Sequence, residues 1–327
     1  MNRVFILGAG FSYYISGEQF PLMAQLGEEF KQIHSWASSY LPEGHEVKVN
    51  LERLLTRLDL ELQEESNSIL EERISDIKAF LKERLSLDKI EYFQKMRAIT
   101  LCSKLFMEKD AIITFNYDCL LEHILWKLTF WSPNGGYGNS PGLNMLSGFG
   151  SEIERNPKDI IILKPHGSLN FEEISNNCDT YLQPWISDKL FPNIHSKWNR
   201  ESEMPPIVLP SFVKMFGGNR TFIYIWHEAI EKIRKADIIT AIGYSLPKSD
   251  TTARFLLSFL NADEFKARGI NKLKVGILNK GSDAQAIKEQ ITALGRFGTD
   301  DVEFKVFDEA DEDDYSELSS WCCRIQS

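Results

Sequence analysis

Polar residues suited to catalysis follow apolar runs at widely separated points of this 327-residue chain. Asn116 and Asp118 come after AIITF in the string TFNYD, and His166 follows IIILK in KPHGSLNF. Amides and carboxylates can orient water or hydroxyl groups, and histidine ionises near neutral pH, which suits a general base. These residue types predict one site that is assembled from parts lying far apart in the chain.

Glycines and small polar residues follow further apolar runs. The strings GAGFS, AIGYSLPKSD and KVGILN supply Gly8, Ala9, Gly10, Phe11, Ser12, Gly243, Tyr244, Ser245 and Asn279. Glycine lets the backbone turn tightly and approach a pyrophosphate, and N–H groups at a helix start can face an anion. GAGFS lacks the full dinucleotide fingerprint, because Tyr13 stands at the third glycine position.

Each motif also has a purely structural interpretation. In this interpretation the glycines simply form a strand-to-helix turn and bind no ligand. Asp118 is a good N-cap for the helix predicted in DCLLEHILWKL. Ser245 and Asn279 can belong to ordinary turns at strand ends. The other histidines have no comparable context and are expected to be surface or core residues; they are His34, His45, His123, His195 and His227.

The apolar runs themselves predict a parallel sheet. They are mostly continuous, as expected when helices cover both faces of the strands, and helical patterns separate them. The runs lie at residues 3–10, 111–115, 160–164, 205–210, 236–243, 272–279 and 302–307. The sequence therefore predicts an α/β fold with a Rossmann-like, doubly wound, mostly parallel sheet, in which ligands bind beyond the carboxyl ends of the strands.

Two segments interrupt this alternation. Residues 20–108 show apolar residues at three- and four-residue spacing with charges between them, which predicts a helical insertion after the first strand. Residues 131–152 are dense in Gly, Pro, Ser and Asn and predict a long cleft loop that could gate the site. The acidic run DEADEDDYSEL predicts a solvated loop and a helix start, and the alternative is a docking site for a partner.

Composition limits the classes of function. The net charge of −10 argues against broad electrostatic binding of nucleic acid. No apolar run approaches the roughly 20 residues that span a bilayer, so a cytoplasmic protein without a membrane partner is expected. The odd number of scattered cysteines predicts reduced thiols, with neither a disulfide framework nor a metal site; they are Cys102, Cys119, Cys178, Cys322 and Cys323.

Taken in order, GAGFS, TFNYD, PHGSL and IGYSLP resemble the SIR2 (sirtuin-like) family, and specifically its bacterial NAD-cleaving members. The resemblance covers most of the chain and implies a single Rossmann-like domain over residues 1–327 with NAD⁺ in the cleft. It implies that Gly8, Ala9, Gly10, Phe11 and Ser12 line the phosphates.

The resemblance also assigns the remaining site residues. Asn116 and Asp118 match the nicotinamide-ribose side of the family's site, and His166 matches its catalytic histidine. Gly243, Ser245 and Asn279 match the adenosine side, where Tyr244 is also expected to bind the cofactor.

Two departures from the deacetylating sirtuins are evident. Their zinc ribbon of paired cysteines is missing, and GEQFPLM replaces their Gly-Ile-Pro-Asp-Phe-Arg string, keeping Gly17 and the candidate binding residue Pro21. Both departures are similar to the SIR2-like NADases of antiviral defence. The expected function is therefore NAD⁺ hydrolysis to nicotinamide and ADP-ribose by a toxic effector of bacterial anti-phage defence.

Two other functions fit the same cleft. One is an NAD-dependent protein deacylase or ADP-ribosyltransferase, and the other is a non-catalytic sensor of NAD⁺ or ADP-ribose. Because NAD⁺ depletion is toxic, the resting protein is expected to be restrained. A homo-oligomer, a separately encoded activating or regulatory protein, or both are the expected partners.

Overall fold

The computed structural model describes residues 1–40, 50–65, 67–133, 135–138, 160–176, 179–184, 220–247, 250–280, 283–307 and 312–323. Several sequence predictions lie outside these residues. They are the strand at 205–210, most of the loop at 131–152, and Cys178, His45 and His195.

The described chain contains eight strands, most of which coincide with the apolar runs of the sequence. They are β1 Arg3–Leu7, β2 Ala111–Thr114, β3 Ile161–Leu163, β4 Phe171–Asn176, β5 Asp179–Pro184, β6 Ile238–Ile242, β7 Leu273–Leu278 and β8 Val302–Phe307. All residues of β1, β2, β6 and β7 are buried. This burial explains why these strands are mostly apolar, since helices shield both faces.

The described helices lie between strands along the chain, except the last one, which follows β8. They are α1 Ala9–Ile15, α2 Met23–Ile33, α3 Leu51–Glu64, α4 Ser68–Arg84, α5 Tyr92–Leu105, α6 Leu120–Lys127, α7 Arg220–Arg234, α8 Thr251–Leu257, α9 Ala262–Ala267, α10 Asp283–Leu294 and α11 Glu312–Cys323. Short 3-10 helices lie at Ser35–Tyr40, Leu87–Lys89 and Thr299–Asp301.

Six strands form one sheet in the order β3–β2–β1–β6–β7–β8, and every pair in it is parallel. The chain moves outward from β1 in both directions, so right-handed crossovers place helices on opposite faces. The predicted α/β, Rossmann-like, doubly wound sheet is confirmed.

The register aligns the carboxyl ends of the central strands. Leu7 of β1 pairs with Thr114 of β2 on one side and with Ile242 of β6 on the other. Ile242 in turn pairs with Leu278 of β7. The residues that follow these four positions therefore emerge at one edge of the sheet, and the strand order reverses at β1.

Helices α2 to α5 occupy the segment between β1 and β2. In α3 the buried leucines Leu51, Leu54, Leu55 and Leu58 recur at helical spacing, and the Asn50 side chain caps the helix by accepting from the Arg53 N–H at 3.0 Å. Helices α2, α3 and α4 contact one another, whereas α5 contacts α1, α6 and α11. The treatment of residues 20–108 as a subdomain stays a prediction.

The structure adds an element that the sequence did not indicate. Strands β4 and β5 form a separate antiparallel pair. Their sequences, FEEISN and DTYLQP, lack the apolar runs by which the other strands were predicted. The helix start predicted in the acidic run is present, because Glu312, Asp313 and Asp314 occupy the first turn of α11, where negative charge is favourable. The loop predicted before it lies outside the described residues. Among the described residues, no helix combines the length and apolarity that crossing a membrane requires.

Candidate functional site

A cavity of about 880 Å³ opens at the carboxyl edge of the sheet, where β1, β2, β6 and β7 end. This is the crevice at which the strand order reverses, the usual ligand position in open α/β sheets. The sequence-predicted residues that line it are Gly8, Ala9, Gly10, Ser12, Pro21, Asn116, Asp118, His166, Gly243, Tyr244, Ser245 and Asn279. Residues from six separate parts of the chain thus share one cavity; these parts are 8–12, 21, 116–118, 166, 243–245 and 279.

Phe11 does not line the cavity, contrary to expectation. Its side chain is buried in the core, where its ring meets that of Phe106 edge-on at 6.2 Å. Its backbone N–H donates to the Gly8 carbonyl at 2.9 Å, and the N–H of Gly10 donates to the Gly243 carbonyl at 2.9 Å. These two donors at the start of α1 are therefore engaged within the protein.

Two glycine turns touch at the end of the cavity formed by β1 and β6. Gly243 has φ +59°, and a Cβ there would stand 2.1 Å from the Phe11 nitrogen. A Cβ on Gly8 would stand 2.6 Å from the Gly243 carbonyl oxygen. Only glycine allows the two backbones to approach this closely. A side chain in either motif, GAGFS or AIGYSLPKSD, would therefore collide with the backbone of the other.

Asn116 ties the first glycine turn to β2. Its Nδ2 donates to the Gly8 carbonyl and to the Ser12 Oγ, both at 2.9 Å. The Gly8 carbonyl can only accept, so the amide nitrogen must be the group that faces it. With both amide hydrogens engaged, the carbonyl Oδ1 is the polar group that Asn116 can still offer to a water or hydroxyl.

Asp118 makes the Asx-turn hydrogen bond of its structural alternative, directly before the N-cap residue Cys119, and also lines the cavity. Its Oδ1 accepts from the Leu120 N–H at 3.0 Å, at the start of α6. The carboxyl is 6% exposed, and this burial raises the pKa of Asp118, although Lys164 and the Leu120 N–H oppose the shift. The Asx turn and a site role are thus compatible in this residue.

Below this turn lies a buried ion pair. The Lys164 Nζ donates to the Glu122 Oε1 at 2.8 Å and to the Asp118 carbonyl at 2.6 Å, and both side chains of the pair are 0% exposed. Tyr137 donates to the same Glu122 oxygen at 3.3 Å. The pair therefore supports the Asn116–Asp118 turn from beneath.

His166 lies between two carboxylates. The Nδ1 is 3.8 Å from the Glu52 Oε1, and the Nε2 is 3.7 Å from the Asp250 Oδ1. Burial disfavours the charged imidazole, but the Glu52 and Asp250 carboxylates outweigh it and raise the pKa of His166. The ring also meets Phe115 edge-on at 4.8 Å.

Sequence reasoning missed Glu52, Tyr117 and Asp250 as site residues, although all three line the cavity. Asp250 lies within the motif AIGYSLPKSD, and Tyr117 lies within TFNYD between Asn116 and Asp118. Glu52 lies in the first turn of α3. Acidic residues are common in the first turn of helices, so its sequence position alone did not indicate a role in the site. Its position becomes visible only when α3 packs over the sheet edge.

The remaining described histidines lie away from this cavity. His34 pairs with Asp76 at 3.3 Å, His123 is buried in α6 and His227 is exposed on α7. In the described part of the chain, no group of three His, Cys, Asp or Glu side chains could hold a metal ion.

No protein-family model and no curated protein matches this chain. Solved structures with a related arrangement include a SIR2 homologue in complex with NAD, at 15% identity and a TM-score of 0.42, covering 98% of this chain and 88% of that one. A mutant SIR2 homologue bound to ADP-ribose shows 13% identity, a TM-score of 0.41 and coverage of 99% and 95%. With scores this low, the fold assignment rests on the chain's own strand order and register.

Proposed function

We propose that this chain is an NAD⁺ glycohydrolase that binds the dinucleotide across the sheet edge and cleaves it to nicotinamide and ADP-ribose. One observation carries the proposal: Asn116 and His166, which are 50 positions apart in the sequence, line the same cavity as the paired glycine turns. The volume of about 880 Å³ lies within the range of roughly 300–1,000 Å³ of small-molecule sites.

The proposed chemistry follows from the substrate. The bond between C1′ of the ribose and the pyridinium nitrogen breaks, and nicotinamide leaves as a neutral molecule with the bonding electron pair. It needs little acid assistance, and the transition state resembles an oxocarbenium ion. Water then forms the new C1′–O bond and releases a proton. The protein's task is to position the ribose and that water in a cavity shielded from solvent.

In this proposal three residues act on the ribosyl side. The Asn116 Oδ1 accepts from the attacking water or from a ribose hydroxyl, because the amide nitrogen is engaged with Gly8 and Ser12. His166 takes the proton, which requires its neutral form. Asp118 supports the developing positive charge. Because the pKa of His166 is raised, the reaction is expected to accelerate as the pH rises through that value.

Product analysis tests the proposal against its alternatives. Incubation with NAD⁺ should release nicotinamide and ADP-ribose whether or not an acetylated peptide is present. Turnover only with the peptide, giving O-acetyl-ADP-ribose or a modified protein, would show a deacylase or ADP-ribosyltransferase. Binding without turnover, even after assembly, would show a sensor.

Substitutions test the assigned residues. Asn116→Ala and His166→Ala should each lower NAD⁺ turnover by about 10²-fold or more in an active assembly. His227→Ala is the matched control, because this exposed histidine on α7 lies outside the cavity. Wild-type turnover in both cavity variants would show that the roles are wrong.

We further propose that the activity serves bacterial anti-phage defence, which rests on the resemblance to SIR2-like defence NADases. NAD⁺ depletion harms the host cell, so the chain should stay restrained until assembly or a separately encoded protein activates it. NAD⁺ should then fall in infected cells that contain the wild-type chain and stay constant with Asn116→Ala. High constitutive activity of the isolated chain would contradict the restraint.

A further inference from the structure

The two carboxylates beside His166 are held very differently. Asp250 caps α8, accepting from the Ala253 N–H and the Thr252 hydroxyl at 3.0 Å each, and its second oxygen accepts from the Tyr244 hydroxyl. These bonds fix Asp250, which is 9% exposed. Its position therefore follows from the helix that it caps.

Glu52 has fewer constraints and comes from a different part of the fold. It is 38% exposed and lies in the first turn of α3, within the helical segment between β1 and β2. Its Oε1 accepts from the Tyr117 hydroxyl at 2.6 Å and lies 3.8 Å from the His166 Nδ1. Tyr117 belongs to the same strand-end turn as Asn116, so this hydrogen bond joins α3 to the site.

The His166 Nδ1 is buried and has no hydrogen-bond partner within the described structure. A buried ring nitrogen without a partner is costly, so a partner is expected at some stage of function. Glu52 already faces that nitrogen, and hydrogen bonds of catalytic groups are often long before substrate binds. A modest approach of Glu52 would form a charge-assisted hydrogen bond of about 2.8 Å.

We propose that Glu52 is a positioning residue that orients the His166 ring through Nδ1 and sets its protonation state, so that the helical segment completes the site. The catalytic meaning of this inference rests on the proposed function, whereas the contact itself does not. The segment then contributes a charge to the site as well as covering the sheet edge.

Electrostatics supports the assignment. Within the described residues, Glu52 and Asp250 are the charged groups that face His166, and the phenols of Tyr117 and Tyr244 bond to these two carboxylates. Burial raises the pKa of Glu52, but His166 and the Tyr117 hydroxyl outweigh burial and lower it. Glu52 therefore stays ionised beside the imidazole at neutral pH, and removing its charge should favour the neutral ring.

The test compares Glu52→Gln, which is nearly isosteric, with Glu64→Gln, a matched control at the other, exposed end of α3. The titration of the imidazole is followed by NMR in histidine-labelled protein without NAD⁺, and His166→Ala assigns the signal. The His166 midpoint should move to lower pH in Glu52→Gln and stay in place in Glu64→Gln.

Activity provides the second readout. In Glu52→Gln the rising limb of the pH–rate profile for NAD⁺ cleavage should shift in the same direction. The kcat should fall about 10- to 100-fold, with KM changed much less, because the ring loses its orientation. Glu52→Asp keeps the charge on a shorter side chain, so its His166 midpoint should lie between those of the wild type and Glu52→Gln.

The outcomes separate this inference from the proposed function. If Glu52→Gln and Glu52→Asp both titrate like the wild type, Glu52 does not act on His166 and the inference is wrong. If the wild type neither binds nor cleaves NAD⁺, the proposed function fails, while the NMR titration still decides whether Glu52 positions His166.

Discussion

The two ends of the cavity are built in opposite ways. At the glycine end, Gly8, Gly10 and Gly243 bring two backbone turns into contact, and Asn116 ties the first turn to β2 with neutral hydrogen bonds. At the histidine end, His166 lies between Glu52 and Asp250, so charged side chains decide its state. One end is shaped by steric exclusion and the other by electrostatics.

This difference has a structural origin. The glycine end consists of residues that directly follow strands, and the sheet register alone brings them together. The histidine end also needs α3 and the cap of α8, whose positions depend on tertiary packing. The free energy of unfolding should therefore depend on added side-chain volume at the glycine end, and on charge and pH at the histidine end.

The largest expected effect is the loss of the buried ion pair between Lys164 and Glu122, beneath the Asn116–Asp118 turn. Lys164→Met leaves the fully buried Glu122 without its cation, which should lower the free energy of unfolding by about 3–5 kcal/mol. Urea unfolding followed by circular dichroism measures it. Lys164→Met combined with Glu122→Leu removes both charges and should recover much of the loss; no recovery would show that the pair does not explain the effect.

The next effect tests steric exclusion at the glycine end. Gly243→Ala combines an unfavourable φ of +59° with a Cβ that meets the Phe11 nitrogen, and should cost about 2–4 kcal/mol. Gly269→Ala is the matched control, because its φ is +80° but nothing lies within 4 Å of the new Cβ. It should cost only about 1–2 kcal/mol. Equal losses in thermal unfolding would mean that φ alone matters.

A smaller effect is expected from reversing a hydrogen bond at the glycine end. Asn116→Asp replaces the donor facing the Gly8 carbonyl with an acceptor, and should cost about 1–3 kcal/mol at neutral pH. The loss should shrink in acid, where the carboxyl is protonated and can donate. Unfolding free energies measured across pH check this; a loss that does not change with pH would contradict the assigned donor.

The smallest expected effect is the pH dependence contributed by His166. Its raised pKa means that the folded protein holds this proton more tightly than the unfolded chain. The stabilisation is fully present below the ordinary histidine pKa of about 6.5 and is lost as the pH rises through the raised value. The stability difference between wild type and His166→Gln should decrease over that interval. A difference that increases instead would mean that burial outweighs the carboxylates.

The strand-end motifs were predictable because they depend on local chemistry. Continuous apolar runs mark buried parallel strands, and the residues after Leu7, Thr114, Ile242 and Leu278 must emerge at one edge. The burial of Phe11 could not be predicted in this way, because the sequence of a motif does not determine which of its side chains points toward the core. Strands β4 and β5 were missed because their sequences have no apolar run.

From the order of residues alone, the sheet, its ligand-binding edge and the polar groups after its strands could be deduced, since each depends on a periodicity or a turn within a few positions. The environment of His166 could not. Glu52 and Asp250 lie beside the His166 ring, although they are 114 and 84 residues away from it along the chain. Electrostatic interaction depends on distance in space, and only the packing of α3 and α8 over the sheet edge sets that distance.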